Sequence, residues 1–284
     1  MPRIAYVNGR YLPHNRAGVH IEDRGFQFAD GVYEVIAISE GNLVDIEPHL
    51  ERLNRSLGEL NIPWPVSRRA FGFILREVIS RNRVSNGSVY LQITRGVAPR
   101  DFAYPKDLKP SIVIYARGTA KPSIETASNG HKIISQPDIR WKRCDIKTVS
   151  LLPAVMAKQI AADEGAIEAW LVNEEGMVTE GTSSNAWIVT AEGELVTRQT
   201  DNLILSGITR QTVMKLAKEA GVKCVERSFT LEEAKQAKEA FSTSSTALVK
   251  PAVEIDGVQI GDGKVGPIAR KLIEHYLNYM DNPS

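Results

Sequence analysis

The sequence has few residues of the kinds that build disulfide frameworks or metal centres. Only two cysteines occur among its 284 residues. They are Cys144 and Cys224, and neither lies in a C-x-x-C pair. The five histidines are scattered without the spacing of metal ligands. These absences argue against a disulfide-stapled fold and against a zinc site or any other metal site.

The sequence also lacks an excess of charge of one sign and lacks any long apolar run. Its net charge is +1, so neither a nucleic-acid partner nor an acidic solvating role is indicated. No apolar stretch approaches the roughly 20 residues that a membrane helix needs. The first residues lack the basic and apolar regions of a signal peptide. We therefore expect a soluble, cytoplasmic protein.

What is present is an ordinary globular composition, 43% hydrophobic and 24% charged, with enough length for one large or two medium domains. Alternating residues around Asn8-Gly9 predict one hairpin. Those around Glu40–Asn42 predict a second hairpin, whose outgoing strand is L-V-D-I. Leucines at three- and four-residue steps predict a helix over 46–60, and Ser67 is expected to begin another.

Strands predicted at 88–96 and 111–116 complete a mostly antiparallel sheet in this first part. The elements predicted later are helices at 151–165, 208–220, 231–237 and 268–280, and strands at 131–136, 168–172 and 186–189. We predict an α+β fold with a smaller domain over 1–118, a linker at 119–122 and a larger domain over 123–284. The cleft between two such domains is the expected ligand site.

Two charged residues are the strongest candidates for chemistry. Lys147, in C-D-I-K-T-V-S, lies between a strand-like stretch and an apolar helix. An amine that forms a Schiff base must be partly removed from water, although a lysine here could also be an ordinary surface residue. Glu180 follows a turn and opens G-T-S-S-N. Its carboxylate could keep a cofactor's pyridine nitrogen protonated, or it could be an exposed turn residue.

Three further segments could bind a phosphate group. The turn at 204–207 opens a helix, whose first N–H groups and dipole attract anions, although capping alone also explains such a turn. The hydroxyl-rich segment 241–247 is predicted to be a loop that donates hydrogen bonds or merely connects two elements. Arg52, on the first long helix beside His49, suits a phosphate dianion; a solvated arginine is the alternative.

The order and wording of these segments resemble the class IV aminotransferases, which are fold-type IV pyridoxal phosphate enzymes, and most closely the D-amino-acid transaminases. The resemblance covers essentially the whole chain. Its most specific segments are D-R-G-F-Q-F-A-D-G-V-Y-E, H-L-E-R-L, D-I-K-T-V-S-L-L, V-T-E-G-T-S-S-N and L-S-G-I-T-R. The resemblance implies a two-domain α+β fold, the cofactor pyridoxal 5′-phosphate, and a homodimer whose active-site loop is shared between subunits.

The resemblance also implies a role for each matching residue. Lys147 would hold the cofactor as a Schiff base and shuttle a proton, and Glu180 would pair with the pyridine nitrogen. The other expected contacts are Arg52, the Ile208 and Thr209 amides, Ser244 and Ser245 at the phosphate, Leu205 under the ring, Tyr33 and Tyr90 at the substrate, and Thr182 and Ser183 at the cofactor's edge.

One position departs from the family pattern. In D-amino-acid transaminases an R-x-H loop from the partner subunit grips the substrate carboxylate together with the tyrosine that matches Tyr33. Here the loop reads P-R-D-F-A-Y-P, so Arg100 keeps the arginine while Phe102 replaces the histidine. A phenyl ring donates no hydrogen bond, and losing a donor to a charged group removes roughly 1.5–3 kcal/mol. Either Tyr104, Lys142 or Arg143 substitutes, or the site is looser and admits amines that lack a carboxylate.

The favoured function is therefore a transaminase that moves the amino group of D-amino acids to a 2-oxo acid, 2-oxoglutarate or pyruvate, by a ping-pong mechanism through Lys147. A side activity on (R)-primary amines is a hypothesis that follows from Phe102. The alternatives on the same fold are branched-chain L-amino-acid transaminase, (R)-amine transaminase and aminodeoxychorismate lyase. A non-enzymatic alternative is a protein that binds the cofactor, or another phosphate ligand, without turnover.

Overall fold

The computed structural model describes residues 3–281, and the chain forms two compact units. The first unit holds the chain up to Lys121 together with Ile146–Ser150, and the second holds Pro122–Asp145 and the chain from Leu151 onward. The short segment around Lys147 thus packs with the N-terminal residues. The predicted domain boundaries, with a linker at 119–122, stay a prediction.

The first unit contains one antiparallel sheet with strand order β2-β1-β6-β5-β3-β4. Its strands are β1 (Ile4–Val7), β2 (Arg10–Pro13), β3 (Gly31–Ser39), β4 (Asn42–Leu43), β5 (Gly87–Thr94) and β6 (Ser111–Gly118). The predicted Asn8-Gly9 turn is confirmed, because both residues adopt the positive φ that a two-residue hairpin turn needs. The second hairpin is shorter than predicted: after Leu43, Val44 and Asp45 form a turn in which Asp45 has φ +55°, and a helix begins at Ile46.

The α-helices of the first unit are α1 (Arg24–Phe28), α2 (Ile46–Glu59) and α3 (Arg68–Asn82). The predicted start of α3 is confirmed, since the Ser67 hydroxyl accepts the backbone N–H of Ala70. The leucine spacing of α2 places Leu50, Leu53 and Leu57 on one buried face, where they join the sheet and α3 in a single core. This packing fixes the remaining side chains of α2 relative to β3.

The second unit is built on a mixed sheet with strand order β12-β11-β10-β13-β14-β7-β8-β9, and β15 pairs with β14. The strands are β7 (His131–Pro137), β8 (Glu168–Val172), β9 (Val178–Gly181), β10 (Asn185–Val189), β11 (Leu195–Thr197), β12 (Cys224–Glu226), β13 (Glu239–Ser244), β14 (Leu248–Ile255) and β15 (Val258–Gln259). The helices are α4 (Ile124–Ala127), α5 (Leu152–Asp163), α6 (Ile208–Glu219), α7 (Leu231–Lys235) and α8 (Pro267–Asp281). None of the helices in residues 3–281 has the length and apolarity that a membrane crossing requires.

The segment 241–247, predicted to be a loop, is instead largely strand, because β13 runs through Ser244. Two of its hydroxyl groups accept hydrogen bonds from buried tryptophans. Ser242 Oγ accepts the Trp170 indole N–H at 2.9 Å, and Thr243 Oγ1 accepts that of Trp187 at 2.9 Å. A buried indole needs such an acceptor, so these hydroxyls let two large aromatic rings lie fully inside the sheet's core.

Candidate active site

Lys147 is held against β3 of the first unit. The Tyr33 N–H donates to the Lys147 carbonyl at 3.0 Å, the Val149 N–H donates to the Gly31 carbonyl at 3.1 Å, and the Lys147 N–H donates to Ser56 Oγ at 3.3 Å. The lysine is half-buried, and its Nζ lies 4.3 Å from the centroid of the Tyr33 ring. The structure thus brings together two of the predicted site residues, and it fixes the lysine backbone on both sides.

Strand β3 also carries Glu34, the centre of a buried ion network and a residue that the sequence did not single out. Glu34 Oε1 accepts from Arg52 Nε at 2.8 Å, and Oε2 accepts from Arg52 Nη2 at 2.7 Å. His49 Nδ1 lies 2.7 Å from Glu34 Oε2. Helix α2 places His49 and Arg52 three residues apart on one face. The available signal was a charged residue at an inward position of the alternating strand V-Y-E-V-I.

The network sets the protonation of its acid and its histidine. Burial acts to raise the pKa of Glu34, but the charge and hydrogen bonds of Arg52, with His49, outweigh it and lower the pKa to about 2. Burial lowers the pKa of His49 below its usual value. At neutral pH Glu34 is therefore an anion, and its partner nitrogen Nδ1 of neutral His49 carries the hydrogen-bonding proton.

This network predicts a loss of stability in acid. The unfolded protein binds protons at Glu34 below its usual pKa of 4.5, whereas the folded protein resists until about pH 2, so the free energy of unfolding falls as the pH drops through that window. The contribution of Glu34 is on the order of 3 kcal/mol. The lowered pKa of His49 acts in the same direction below pH 6.5.

Urea unfolding of the wild type and of Glu34→Gln at pH values from 7 to 3 measures this effect. We expect the free energy of unfolding to depend less steeply on pH in the variant, which is also less stable at pH 7. Parallel curves for the two proteins would contradict the prediction.

The opposite face of the same sheet carries a row of stacked tyrosines. The rings of Tyr33 and Tyr90 lie 5.8 Å apart at 26°, and those of Tyr90 and Tyr115 lie 5.1 Å apart at 26°. Burial raises the pKa of Tyr90, so its hydroxyl keeps its proton and donates to Gln92 Oε1 at 2.7 Å. The two predicted substrate residues are thus adjacent, on strands β3 and β5, and share a face with a third tyrosine.

The loop that carries Arg100 is tied to α1 by a second arginine. Arg24 Nη1 donates to the Asp101 carbonyl at 2.6 Å, and Arg24 Nη2 donates to the Phe102 carbonyl at 3.2 Å. The guanidinium carbons of Arg24 and Arg100 each lie 4.7 Å from the centroid of the Phe28 ring. Phe102 is 85% exposed, and its ring centroid lies 5.5 Å from that of Phe28. The loop is therefore anchored to α1, although Phe102 itself is largely exposed.

The residues considered as replacements for the missing histidine have other partners or lie at the surface. The Tyr104 ring lies 3.6 Å from the Arg95 guanidinium carbon. In the second unit, Arg143 pairs with Asp145 at 3.0 Å, and Lys142 is exposed. Their roles at the substrate remain predictions.

Glu180 lies in the second unit at the end of β9 and is 5% exposed. Its Oε1 accepts from Arg140 Nη1 at 2.5 Å, and its Oε2 accepts from Asn185 Nδ2 and from the Leu205 N–H, each at 3.1 Å. The exposed-turn alternative is therefore wrong. Leu205, predicted to lie under a cofactor ring, is in contact with this carboxylate through its backbone.

Arg140 is in turn held by Asp138, and no local sequence pattern points to either residue. Arg140 Nε and Nη2 donate to the two Asp138 oxygens at 2.9 and 2.8 Å. Burial favours the neutral form of both Arg140 and Asp138. Their mutual hydrogen bonds and the neighbouring charges outweigh burial, so the pKa of Arg140 is raised and that of Asp138 is lowered. Burial raises the pKa of nearby Cys144 to about 12, so it adds no charge at neutral pH. Asp138, Arg140 and Glu180 together leave one net negative charge.

The turn that was predicted to bind phosphate continues from Leu205 into the start of α6. Gly207 precedes α6, whose first residues Ile208 and Thr209 are each 3% exposed. A Cβ at Gly207 would lie 2.0 Å from Asn185 Oδ1, so any larger residue here would force the Asn185 side chain to move. Asn185 Nδ2 also donates to the Leu205 carbonyl at 2.9 Å. One asparagine thus ties the start of α6 to the Glu180 carboxylate, which places these two predicted cofactor contacts side by side.

The other predicted hydroxyl contacts have partners within the second unit. Thr182 Oγ1 and Ser184 Oγ both donate to the buried Glu168 carboxylate, and Ser183 Oγ lies 3.4 Å from it. Ser244 Oγ accepts the Ala247 N–H at 3.2 Å, and Ser245 follows in the turn after β13. The contacts of Thr182, Ser183, Ser244 and Ser245 with a cofactor or substrate stay predictions. Among residues 3–281, no group of three or more His, Cys, Asp or Glu side chains is arranged to hold a metal ion.

Comparison with known proteins gives concordant matches. A family model described as amino-transferase class IV matches residues 31–255. The D-alanine aminotransferase of Staphylococcus haemolyticus is 38% identical over 280 residues, covering 98% of each chain. That of Bacillus licheniformis is 42% identical over 265 residues, covering 93% of each chain. Among solved structures, the branched-chain amino acid aminotransferase of Thermobaculum terrenum in its PLP-form matches with a TM-score of 0.87 and 25% identity, covering 100% of this chain and 95% of that one.

Proposed function

Because the chain belongs to the class IV aminotransferases, we propose that it transfers the amino group of D-amino acids to a 2-oxo acid such as 2-oxoglutarate or pyruvate. The observation that carries the choice of D-amino acids is the nearly full-length match to D-alanine aminotransferases. The likeness to branched-chain enzymes fits the alternative, but at lower sequence identity.

The residues in place fit pyridoxal 5′-phosphate. An ionised carboxylate accepts hydrogen bonds and donates none, so Glu180 suits the N–H of a protonated pyridine ring. The single net negative charge of the network formed with Asp138 and Arg140 would stabilise that protonated form. The first-turn amides of α6 at Ile208 and Thr209 and the positive end of its dipole suit a phosphate dianion. Arg52, in the first unit, is also suited to bind a phosphate group.

When bound, this cofactor acts as an electron sink for negative charge that develops on the substrate α-carbon. The residues of this chain would hold the cofactor, transfer the proton and line the substrate pocket. Lys147 Nζ would hold the cofactor covalently and would then accept and carry the proton that the substrate α-carbon releases. Tyr33, 4.3 Å from Nζ at its ring centroid, would limit the space on that side. Its neighbour Tyr90 would line the substrate pocket with it.

We infer that two copies of the chain assemble and that each provides Arg100 to its partner's site. Three large apolar residues of the first unit support this, since Ile21, Phe26 and Phe102 are 76%, 75% and 85% exposed. Large apolar side chains exposed to this extent would be covered if they lay in an interface between two chains. Analytical ultracentrifugation should give the mass of two chains, and the mass of one chain would overturn the inference. A cytoplasmic location stays a prediction.

The test of the proposed function is a half-reaction. The cofactor-loaded protein is mixed with single D-amino acids, L-amino acids or (R)-amines in the absence of an acceptor, and conversion of the cofactor to its aminated form is followed spectroscopically. Fast conversion with D-alanine and slow conversion with L-leucine supports the proposal. The reverse order would favour the branched-chain alternative, and a protein that takes up no cofactor would favour a non-catalytic role.

Phe102→His should shift the preference of the site toward carboxylates. A donor restored opposite the substrate carboxylate adds about 1.5–3 kcal/mol, so we expect KM for D-alanine to fall roughly 10-fold or more. Turnover of (R)-1-phenylethylamine, which has no carboxylate, should not gain. Steady-state kinetics with both donors measure the difference, and an unchanged KM for D-alanine would count against a role of Phe102 at the substrate.

A further inference from the structure

The Glu34 network is built more tightly than a solvent-facing ion pair. The Glu34 side chain is 0% exposed, that of His49 is 2% exposed and that of Arg52 is 8% exposed. Both oxygens of Glu34 are bonded to Arg52, and His49 Nδ1 contacts one of them. These three side chains reach from β3 and α2, which are locked together by the leucine core of the first unit.

The pairing fixes the plane of the Arg52 guanidinium. Two parallel N–H···O bonds use the edge that carries Nε and Nη2, and such a fork has one favoured geometry. A guanidinium held in one plane presents its N–H donors in fixed directions, so its orientation toward an oxyanion is set before that oxyanion binds.

We propose that Glu34 is a positioning residue, which fixes Arg52 for the phosphate group of the cofactor and is itself held by His49. The inference rests on the proposed function, because it takes Arg52 as a phosphate ligand. The charges of Glu34 and Arg52 cancel, so the pair offers a phosphate little net attraction. What Glu34 adds is therefore orientation: the guanidinium is already placed when the phosphate arrives.

The substitution Glu34→Gln should change the affinity for a phosphate-bearing ligand in opposite directions, depending on whether Glu34 acts through orientation or through charge. The amide has the shape of the carboxylate, but it turns one acceptor into a donor that faces an N–H of Arg52 or His49. The fork is lost, while the site gains one positive charge. If charge dominated, a phosphate-bearing ligand would bind more tightly to the variant. If Glu34 orients Arg52, that ligand would bind more weakly.

The experiment compares pyridoxal 5′-phosphate with pyridoxal, which lacks the phosphate and still reaches Lys147. Dissociation constants of both are measured by absorption titration of the cofactor-free protein. In Glu34→Gln we expect the preference for the phosphate form to fall roughly 10- to 100-fold, with pyridoxal nearly unchanged. An unchanged preference, a stronger one, or equal weakening of both ligands would overturn the proposal.

Matched variants separate orientation from charge and from folding. Glu77→Gln removes the same charge from an exposed pair with Arg81 in the same unit and should leave the preference unchanged. Glu34→Asp keeps the charge but withdraws the carboxylate by one methylene, and His49→Gln loosens its anchor. Both should lower the preference for the phosphate form less than Glu34→Gln does. A cooperative thermal transition shows that a variant is folded, and any folded variant of the three tests whether Glu34 orients Arg52.

Two experimental outcomes distinguish an error in the proposed function from an error in the role of Glu34. A wild-type protein that binds neither ligand would overturn the proposed function itself. A wild-type protein that prefers the phosphate form, with a folded Glu34 variant that keeps this preference, would leave the proposed function standing and overturn only the role of Glu34.

Discussion

Lys147→Ala is expected to abolish the visible absorption of a covalently held cofactor and to lower turnover of D-alanine by at least about 10⁴-fold. The side chain serves twice, as the covalent anchor and as the base and acid at the α-carbon. Acid–base catalysis alone contributes roughly 10²–10⁴-fold, and losing the covalent route adds to that. The measurement is the absorption spectrum together with steady-state kinetics at saturating cofactor.

The control separates chemistry from folding. Lys121→Ala removes an exposed lysine of the same unit that pairs with Glu40 at 3.0 Å, and it should keep both absorption and turnover. The hydrogen bonds that hold Lys147 to Tyr33 and Ser56 use its backbone N–H and C=O groups, which alanine retains, so the variant should fold. Added methylamine should restore part of the turnover by replacing the missing amine. Full turnover and absorption without Lys147 would refute its assignment.

Local patterns in the sequence predicted most of the elements that position this lysine. The Asn8-Gly9 turn, the leucine spacing of α2 and the Ser67 cap each act within a few residues, so a short window contains the whole physical cause. Lys147 and Glu180 were also selected as candidates, because the segments around them are distinctive and occur in a fixed order. Neither choice needed knowledge of what the residues contact.

The partners of these residues could not be predicted in the same way. Glu34 meets Arg52 across 18 positions, and Arg140 meets Glu180 across 40. No local pattern encodes such a pairing, since it depends on which strands and helices become neighbours. The same reason explains the error at 241–247: a run of serine and threonine is typical of a loop, unless distant tryptophans need acceptors, as Trp170 does from Ser242 across 72 positions.

Glu180→Gln is expected to lower the rate of the D-alanine half-reaction by roughly 10²–10³-fold at saturating cofactor. The physical reason is the charge balance of the network. With Glu180 ionised, Asp138, Arg140 and Glu180 leave one net negative charge to stabilise a protonated pyridine; with glutamine they leave none. Removing one preorganised electrostatic partner of a reacting system has effects of this size.

The substitution should also destabilise the fold, by about 1–3 kcal/mol. Arg140, Asn185 and the Leu205 N–H all donate hydrogen bonds to the Glu180 carboxylate. In either orientation the new amide group points a donor at a donor. Thermal unfolding measures this loss, and the half-reaction rate is compared only under conditions where the variant is folded.

Two variants make the Glu180 result specific. Glu175→Gln makes the same change at an exposed position five residues earlier, and it should alter neither rate nor stability. Glu180→Asp keeps the charge but shortens the reach, so it should retain more of the rate than Glu180→Gln. If a folded Glu180→Gln protein reacted as fast as the wild type, the negative charge of this network would have no role at the pyridine nitrogen, and Arg140 and Asp138 would be left as supports of β9 alone.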